Sequence, residues 1–262
     1  MNTNDKVQFE QVSLEFIIEN SYKNFEKSIS SVKTKIFLIN GFVDKDSAIK
    51  AALKRRKPQI DRRKKLSDVD ENYISLLDEY AADAEEYISW VRSENGVPLY
   101  KDALVSYCTA FENCLKSIAL AFFLAENELD ANLSAQIIIP SEKLTRARKE
   151  ITNQWDERYP RDMPKVRNFF ELAIRGKKAA KKFPYLAKDI SEGDWEICDG
   201  AFKLRNTLVH NLGVMKEQIT VGEHSFYLRD PIELDKSHDA LVRNTFLNIL
   251  SPFDLNFLDL DL

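Results

Sequence analysis

Glycine, proline and cysteine are all scarce in this sequence. Its 262 residues include only 7 glycines and 8 prolines. Tight turns depend on these two residues, so a β-sandwich or propeller is disfavoured and a helical chain is favoured. The three cysteines, Cys108, Cys114 and Cys198, form no CxxC pair. Their spacing argues against a disulfide framework and a zinc site, so no metal is expected.

The chain also lacks long apolar runs and a strong excess of either charge. Its longest apolar region, residues 118–125, is much shorter than the roughly 18 residues of a membrane span. The first residues carry no basic-then-apolar signal peptide. The 38 Lys and Arg against 42 Asp and Glu give a net charge of −4, which excludes a uniformly basic nucleic-acid coat but not a local basic patch. These features predict a soluble, cytoplasmic protein without a membrane partner.

Apolar residues recur at helical spacing in three long segments. Steps of four and three residues place the apolar side chains of each segment on one face of a long helix. The stripes are Ile18, Tyr22, Phe25, Ile29, Val32 and Ile36; Tyr73, Leu77, Tyr80, Ala84, Tyr87 and Val91; and Leu104, Cys108, Phe111, Leu115, Ile118 and Phe122. They predict an all-α fold, a helical bundle of long antiparallel helices.

Turn and capping residues predict where the elements begin and end. Asn40-Gly41 should end the first helix, and residues 95–98 should separate the second from the third. Ser191 should start a later helix. A small β-hairpin is predicted around Gly222, near the C-terminus, and Asp235 should cap the last helix. The buried side of the helix after Ser191 is expected to consist of Trp195, Cys198, Phe202, Leu208, Val209 and Leu212.

These elements divide the chain into two expected regions. Residues 1–95 form an N-terminal helical region, and residues 96–262 form a helical domain with the hairpin and the last helix. A basic run in the first region is a predicted RNA contact, because phosphates attract clustered cations. It consists of Lys54, Arg55, Arg56, Lys57, Arg62, Arg63, Lys64 and Lys65. The alternative is a solvated loop whose charges the acidic residues 68–86 offset. Residues 175–182 hold a second basic cluster.

The segment 204–211 carries the side chains best suited to chemistry. Arg205 follows Phe202 by three residues, which places a guanidinium on the apolar side of its helix, where it needs an anionic partner. His210 supplies an imidazole, and Asn206 shares its helix face four residues earlier. Arg205 and His210 are about 140° apart around an ideal helix. They converge only if the helix ends near His210 or a second subunit completes the site.

A phosphate-binding cation and a titratable imidazole can cleave RNA without a metal. The imidazole takes the proton of the 2′-hydroxyl, and the guanidinium stabilises the pentavalent phosphorane. In the structural alternative, His210 stabilises the last helix carbonyls and Arg205 pairs with a carboxylate such as Glu112. The chain has no P-loop, dinucleotide-binding glycine pattern, GxSxG or HExxH motif, so no cofactor is expected.

The segment 204–211 resembles the Arg-x4-His motif of the HEPN superfamily (higher eukaryotes and prokaryotes nucleotide-binding). It has an Arg, then a polar residue, three further residues and a His, and it lies late in a helix. Arg205 falls on the motif Arg and His210 on the motif His, and Asn206 is a polar residue of the usual type. Glu112 lies in the preceding long helix, where HEPN proteins often carry a polar residue, and is a possible supporting residue. The resemblance covers roughly residues 98–214.

The resemblance implies a bundle that dimerises, with two motifs facing each other in one composite ribonuclease site. Many HEPN proteins are metal-independent endoribonucleases that act as toxins, in phage defence or in RNA processing. His210 would then be the general base or acid, Arg205 would hold the scissile phosphate, and Asn206 would orient His210 or contact the phosphate. The implied partners are RNA, a second copy of the chain and an antitoxin protein.

Two alternatives to the nuclease hypothesis stay open. In the first, the chain is a non-catalytic HEPN module that binds RNA or nucleotide, because some members have lost catalysis. In the second, it is a protein-interaction domain in which Arg205 and His210 are structural. Leu212 stands where some HEPN toxins carry a Tyr that a nucleotidyltransferase modifies, so neutralisation through that Tyr is not expected.

Overall fold

The protein is built from helices, with two small pairs of strands. The structure, a computed structural model, describes residues 9–43, 86–128, 136–157, 165–182, 190–211 and 213–254. In chain order its main elements are β1 (Phe9–Ser13), α1 (Leu14–Val43), α2 (Val97–Glu128), β2 (Gln136–Pro140), α3 (Ser141–Glu157), α4 (Lys165–Phe170), α5 (Glu192–His210), β3 (Ile219–Val221), β4 (His224–Phe226) and α6 (Lys236–Leu250).

Shorter helical segments complete the described part of the chain. Residues 86–93 are helical and lead into a turn before α2. A π-helical turn (Glu171–Arg175) and a 3₁₀ turn (Lys178–Lys182) follow α4, and a second 3₁₀ turn (Ser251–Phe253) follows α6. The predicted all-α fold is confirmed.

Helices α1 and α2 form an antiparallel pair at the centre of the protein. The rings of Phe25 and Phe111 lie 6.0 Å apart. Further toward the C-terminus of α1 and the N-terminus of α2, Lys35 lies 3.9 Å from Asp102, so the two helices run in opposite directions. The third apolar stripe is buried along its whole length, and the first is buried from Ile18 through residue 29. These two stripes therefore face each other, a pairing that the sequence patterns did not specify. Most of the second stripe lies outside the described residues.

Helices α5 and α6 close the core against α2 through aromatic side chains. The ring of Phe111 stacks on Phe246 of α6 with centroids 4.3 Å apart, and it meets Phe202 of α5 edge-on at 6.1 Å. All three rings are buried. One hydrophobic core thus contains side chains from α1, α2, α5 and α6.

Most predicted element boundaries are confirmed, and one is wrong. Ser191 caps α5 by accepting a hydrogen bond from the backbone N–H of Asp194 at 3.0 Å, and Asp235 caps α6. Strands β3 and β4 form the predicted hairpin, with Gly222 at a positive φ of 59° in its turn. Asn40-Gly41, however, does not end the first helix, because the backbone stays helical through Val43.

Sequence patterns did not predict the pairing of β1 with β2. The strands are antiparallel, with Gln11 opposite Ile138, and Ile137 and Ile139 point into the core. Each strand has five residues, and more than a hundred residues separate them. A short apolar run such as residues 137–139 does not distinguish a strand from the start of a helix, so only the pairing itself makes these segments strands.

The expected division at residue 95 stays a prediction. Helix α1 belongs to the expected N-terminal region, yet Leu14, Ile18 and Phe25 pack in the same core as α2. Residues 44–85, which join α1 to the rest of that region, lie outside the described residues, and so does the whole basic run.

Among the described residues, one helix, α2, is long and apolar enough to cross a membrane. However, 61% of its most apolar window is buried inside the protein, as in the core helix of a globular fold. This window includes polar residues between the apolar ones, so it contains no long unbroken apolar run. The absence of a membrane partner and the cytoplasmic location remain predictions.

Candidate functional site

Helix α5 carries the predicted site, and its C-terminal end is well defined. The helix ends at His210, after which the N–H groups of Asn211 and Gly213 both donate to the carbonyl of Thr207, at 2.9 and 3.2 Å. Gly213 has a positive φ of 74°, a conformation that favours glycine at a helix end. One of the two conditions for convergence, a helix that ends near His210, is therefore met.

Arg205 is partly buried, and its guanidinium is incompletely paired. Its Nη1 donates to the Oδ1 of Asn206 at 3.0 Å. Its Nε is fully buried and makes no hydrogen bond within the described part of the chain. A buried donor without an acceptor costs about 1–3 kcal/mol. The guanidinium is therefore held in place with donor capacity to spare.

Arg205 and Glu112 lie close to the same sulfur without forming an ion pair. Burial raises the pKa of the Cys108 thiol well above its usual range, the Arg205 guanidinium lowers it, and the Glu112 carboxylate raises it. Glu112 pairs with Lys116 at 2.6 Å, and that ammonium lies 5.3 Å from the centre of the Trp155 ring. Glu112, which the structural alternative names as an example of a carboxylate partner for Arg205, is therefore not that partner.

His210 makes no hydrogen bond to Arg205 or Asn206. Its side chain is exposed and makes no hydrogen bond to any described residue. Asn206 shares a helix face with it, but the Asn206 amide accepts from Arg205 instead. A single chain thus pairs Arg205 with Asn206 and leaves the imidazole of His210 exposed at the helix end, without a hydrogen bond to a described residue.

An apolar surface surrounds the end of α5. Val209 was expected to be buried and is 48% exposed, which corrects the predicted buried side of this helix. Val214 bridges to Pro231, and the neighbouring backbone of Met215 and residue 230 is hydrogen-bonded, so the chain after α5 lies beside the 227–231 turn. We call the exposed Val209, Val214, Tyr227 and Leu228 the α5-end patch.

The second basic cluster is partly neutralised. Arg175 pairs with Glu171 at 3.1 Å, and Lys177 pairs with Glu126 at 3.3 Å. The backbone N–H of Lys178 also donates to Glu126 at 2.6 Å. The described part of this cluster is therefore a weaker phosphate site than its sequence indicates.

Two histidines to which the sequence assigned no role meet in the structure. The rings of His224 on β4 and His238 on α6 have centroids 4.0 Å apart, and His238 also lies 2.7 Å from Asp235. The Tyr107 hydroxyl of α2 donates a hydrogen bond at 2.9 Å to the carboxylate of Asp239, which follows His238 in α6. No group of three or more His, Cys, Asp or Glu side chains suits a metal ion within the described ranges. These contacts fasten the hairpin and α6 to the core.

The three cysteines are buried and pack as small apolar side chains. Burial raises the pKa of Cys114 to about 12 and that of Cys198 well above its usual range. A thiol that stays protonated is a poor nucleophile and a poor metal ligand. These buried, protonated thiols therefore pack in the core and are not candidates for a nucleophile or a metal ligand.

Comparison with known proteins adds no relative. No protein-family model, no curated protein and no solved structure matches the chain. The HEPN resemblance consequently rests on the residues of the motif, Arg205, Asn206 and His210, and on their position late in a bundled helix. Leu212, at the place of the modified Tyr of some toxins, lies outside the described residues.

Proposed function

We propose that the protein is a metal-independent endoribonuclease of the HEPN type, with a composite site formed by two copies of the chain. The observation that carries the proposal is the Arg205 guanidinium, held against Asn206 with a buried, unpaired Nε, one and a half turns before the helix ends at an exposed His210. The Nη2 group of this arginine makes no hydrogen bond to a described residue and is not fully buried, so it can donate to a phosphate oxygen.

The chemistry requires one base, one acid and one cation. The imidazole of one His210 takes the proton of the 2′-hydroxyl, whose oxygen attacks the adjacent phosphorus. The 5′-oxygen leaves with a proton from the second His210, which gives a 2′,3′-cyclic phosphate and a 5′-hydroxyl end. Arg205 stabilises the added negative charge of the phosphorane, and Asn206 holds the guanidinium in position. RNA and a second copy are the partners that this mechanism needs, and an antitoxin is compatible with it.

The surroundings of His210 support association of two copies. Val209 of the α5-end patch directly precedes His210 in the sequence, and both side chains are exposed. Apolar patches of this kind mark interaction surfaces, and a twofold axis through the patch would bring two His210 side chains together. Because Arg205 and His210 share no hydrogen bond within one chain, the proposed nuclease uses the second copy to complete its site.

RNA cleavage tests the proposal. Purified protein is incubated with single-stranded RNA in EDTA, beside the His210→Ala, Arg205→Ala and Arg146→Ala variants. Arg146 is an exposed arginine on α3, paired with Glu142, and serves as the matched control. We expect cyclic-phosphate products from the wild type and from Arg146→Ala, and a loss of at least about a hundredfold for the other two. Cleavage that EDTA abolishes, or that His210→Ala retains, contradicts the mechanism.

A non-catalytic RNA- or nucleotide-binding module is the second candidate. The lack of a hydrogen bond between His210 and either Arg205 or Asn206 favours it, since a guanidinium alone holds a phosphate without an acid or a base. Salt-dependent RNA binding that Arg205→Ala weakens and His210→Ala does not, without products, would establish this alternative.

A further inference from the structure

A groove on the other side of α2 has no place in the proposed ribonuclease. It has a volume of about 500 Å³ and lies between β1, α1, α2 and α3. Its walls include none of Arg205, Asn206, His210 or Glu112. This volume is within the range of about 300–1,000 Å³ that is common for ligand sites.

Three exposed asparagine side chains line this groove. Asn20 and Asn24 come from α1, and Asn113 comes from the facing α2. None of these side-chain amides makes a hydrogen bond to any described residue, whereas the neighbouring hydroxyls of Ser21 and Ser117 donate to carbonyls of their own helices. Each amide therefore offers both a donor and an acceptor to a ligand.

The spacing of these amides fits an extended peptide backbone. Asn20 and Asn24 are one helical turn apart, which is about 6 Å along the axis of α1. In an extended chain, every second residue points the same way at a spacing of about 6.6 Å. An amide at each position can accept from a peptide N–H through Oδ1 and donate to a peptide carbonyl through Nδ2.

The remaining groove residues indicate which side chains the peptide carries. Arg148 of α3 lines the groove, is exposed and has no ion-pair partner in the described part of the chain. Phe16 is 62% exposed, and the buried Leu144 lies in the same wall. The groove thus offers one cation and an apolar surface. Glu10 is its other charged residue, and a groove without net positive charge is a poor match for RNA phosphates.

We propose that this groove binds an extended peptide segment of a partner protein, with an acidic side chain of the peptide paired to Arg148. The asparagines hold the backbone, so they supply affinity without selecting a sequence, and Arg148 and Phe16 select an acidic residue and an apolar one. The site is independent of the proposed ribonuclease activity, which neither supports nor limits it.

Selection from a phage-displayed library of random dodecapeptides tests the proposal. We expect peptides enriched on the wild type to share an acidic residue at a constant distance from an apolar one. The double variant Asn20→Ala/Asn24→Ala should weaken them at least about tenfold. Arg148→Glu should lose the acidic peptides and should bind synthetic versions in which lysine replaces the acidic residue. That exchange of charge preference identifies Arg148 as the partner.

Two control variants separate the groove from the rest of the surface. Lys149→Glu makes nearly the same charge change on the next residue of α3, and Asn244→Ala removes an exposed amide from α6; both should bind the selected peptides like the wild type. Circular dichroism confirms that each variant folds. Absence of enriched peptides, or equal binding by the groove and control variants, overturns the proposal. So does a single-stranded RNA probe that binds the wild type and is lost in the groove variants while peptides are unaffected.

Discussion

Asp235 shows how one carboxylate begins a helix and joins it to its surroundings. Its Oδ1 accepts from the backbone N–H and the hydroxyl of Ser237 and from the backbone N–H of His238, at 2.8, 2.6 and 3.2 Å. These hydrogen bonds, with those of Ser237 the largest influence, hold the pKa of Asp235 well below its usual range. They favour the charged carboxylate in the folded protein.

The Asp235 cap makes a pH-dependent contribution to stability. Because the folded pKa is depressed, the contribution is complete above the unfolded value of about 3.9 and is lost as the pH falls below it toward the folded value. We expect Asp235→Ala to lower the free energy of unfolding by about 1 kcal/mol at neutral pH. Urea unfolding at about pH 7 and about pH 3 should show this difference shrink.

Asp235→Asn is the matched control for the charge. Asparagine is also a good helix cap but does not titrate in this range, so this variant should retain the cap and lose the pH dependence. Equal stability of Asp235→Ala and the wild type at neutral pH would contradict the assignment.

At the scale of elements, α5 is positioned by contacts on two sides. Its Phe202 packs on α2, and its Gly200 faces the hairpin, where an added Cβ would lie 2.6 Å from the carbonyl oxygen of Thr220 and 2.8 Å from the Val221 side chain. The helix and the hairpin can approach this closely only because residue 200 has no side chain. This approach places the α5-end patch and His210 beside the chain that follows the helix.

Gly200→Ala should therefore destabilise the protein even though alanine favours helices. Replacement of glycine in a helix gains about 1 kcal/mol of intrinsic preference, but overpacking costs about 1–3 kcal/mol, and a backbone oxygen cannot rotate away. Gly193→Ala, in the first turn of the same helix, meets nothing closer than 3.9 Å and should be neutral or stabilising. Chemical denaturation of both variants decides the matter, and a stabilising Gly200→Ala would show that the hairpin moves freely.

Across the whole molecule, Phe111 is the residue that connects the long helices. It contacts Phe25 of α1, Phe202 of α5 and Phe246 of α6, and it is fully buried. Helices that share one core are expected to unfold together.

Phe111→Ala should lower the free energy of unfolding by about 3–5 kcal/mol, because it removes a large side chain and leaves a cavity. This is a large part of the roughly 5–15 kcal/mol that stabilises a typical domain. Phe37→Ala, at a position that is 75% exposed, should change it by less than about 0.5 kcal/mol. Denaturation followed by both far-UV circular dichroism and tryptophan fluorescence should give coincident transitions. Separate transitions, or similar effects of the two variants, would contradict a shared core.

The accuracy of the sequence-based predictions follows the range of the interactions behind them. The buried stripes of α1 and α2, the Ser191 and Asp235 caps and the hairpin turn at Gly222 depend on residues within a few positions of one another, and all are confirmed. The β1–β2 pair was missed because each strand finds its hydrogen-bonding partners in a distant segment.

The candidate site divides in the same way. The sequence alone placed Arg205, Asn206 and His210 late in one helix, because spacing along a helix is a local property. Tertiary structure decided that Glu112 pairs with Lys116, that Val209 is exposed and that the Asn20 and Asn24 amides face a groove. Periodicity defines the face of a helix on which a side chain lies. Which neighbour covers that face depends on packing between segments far apart in the chain.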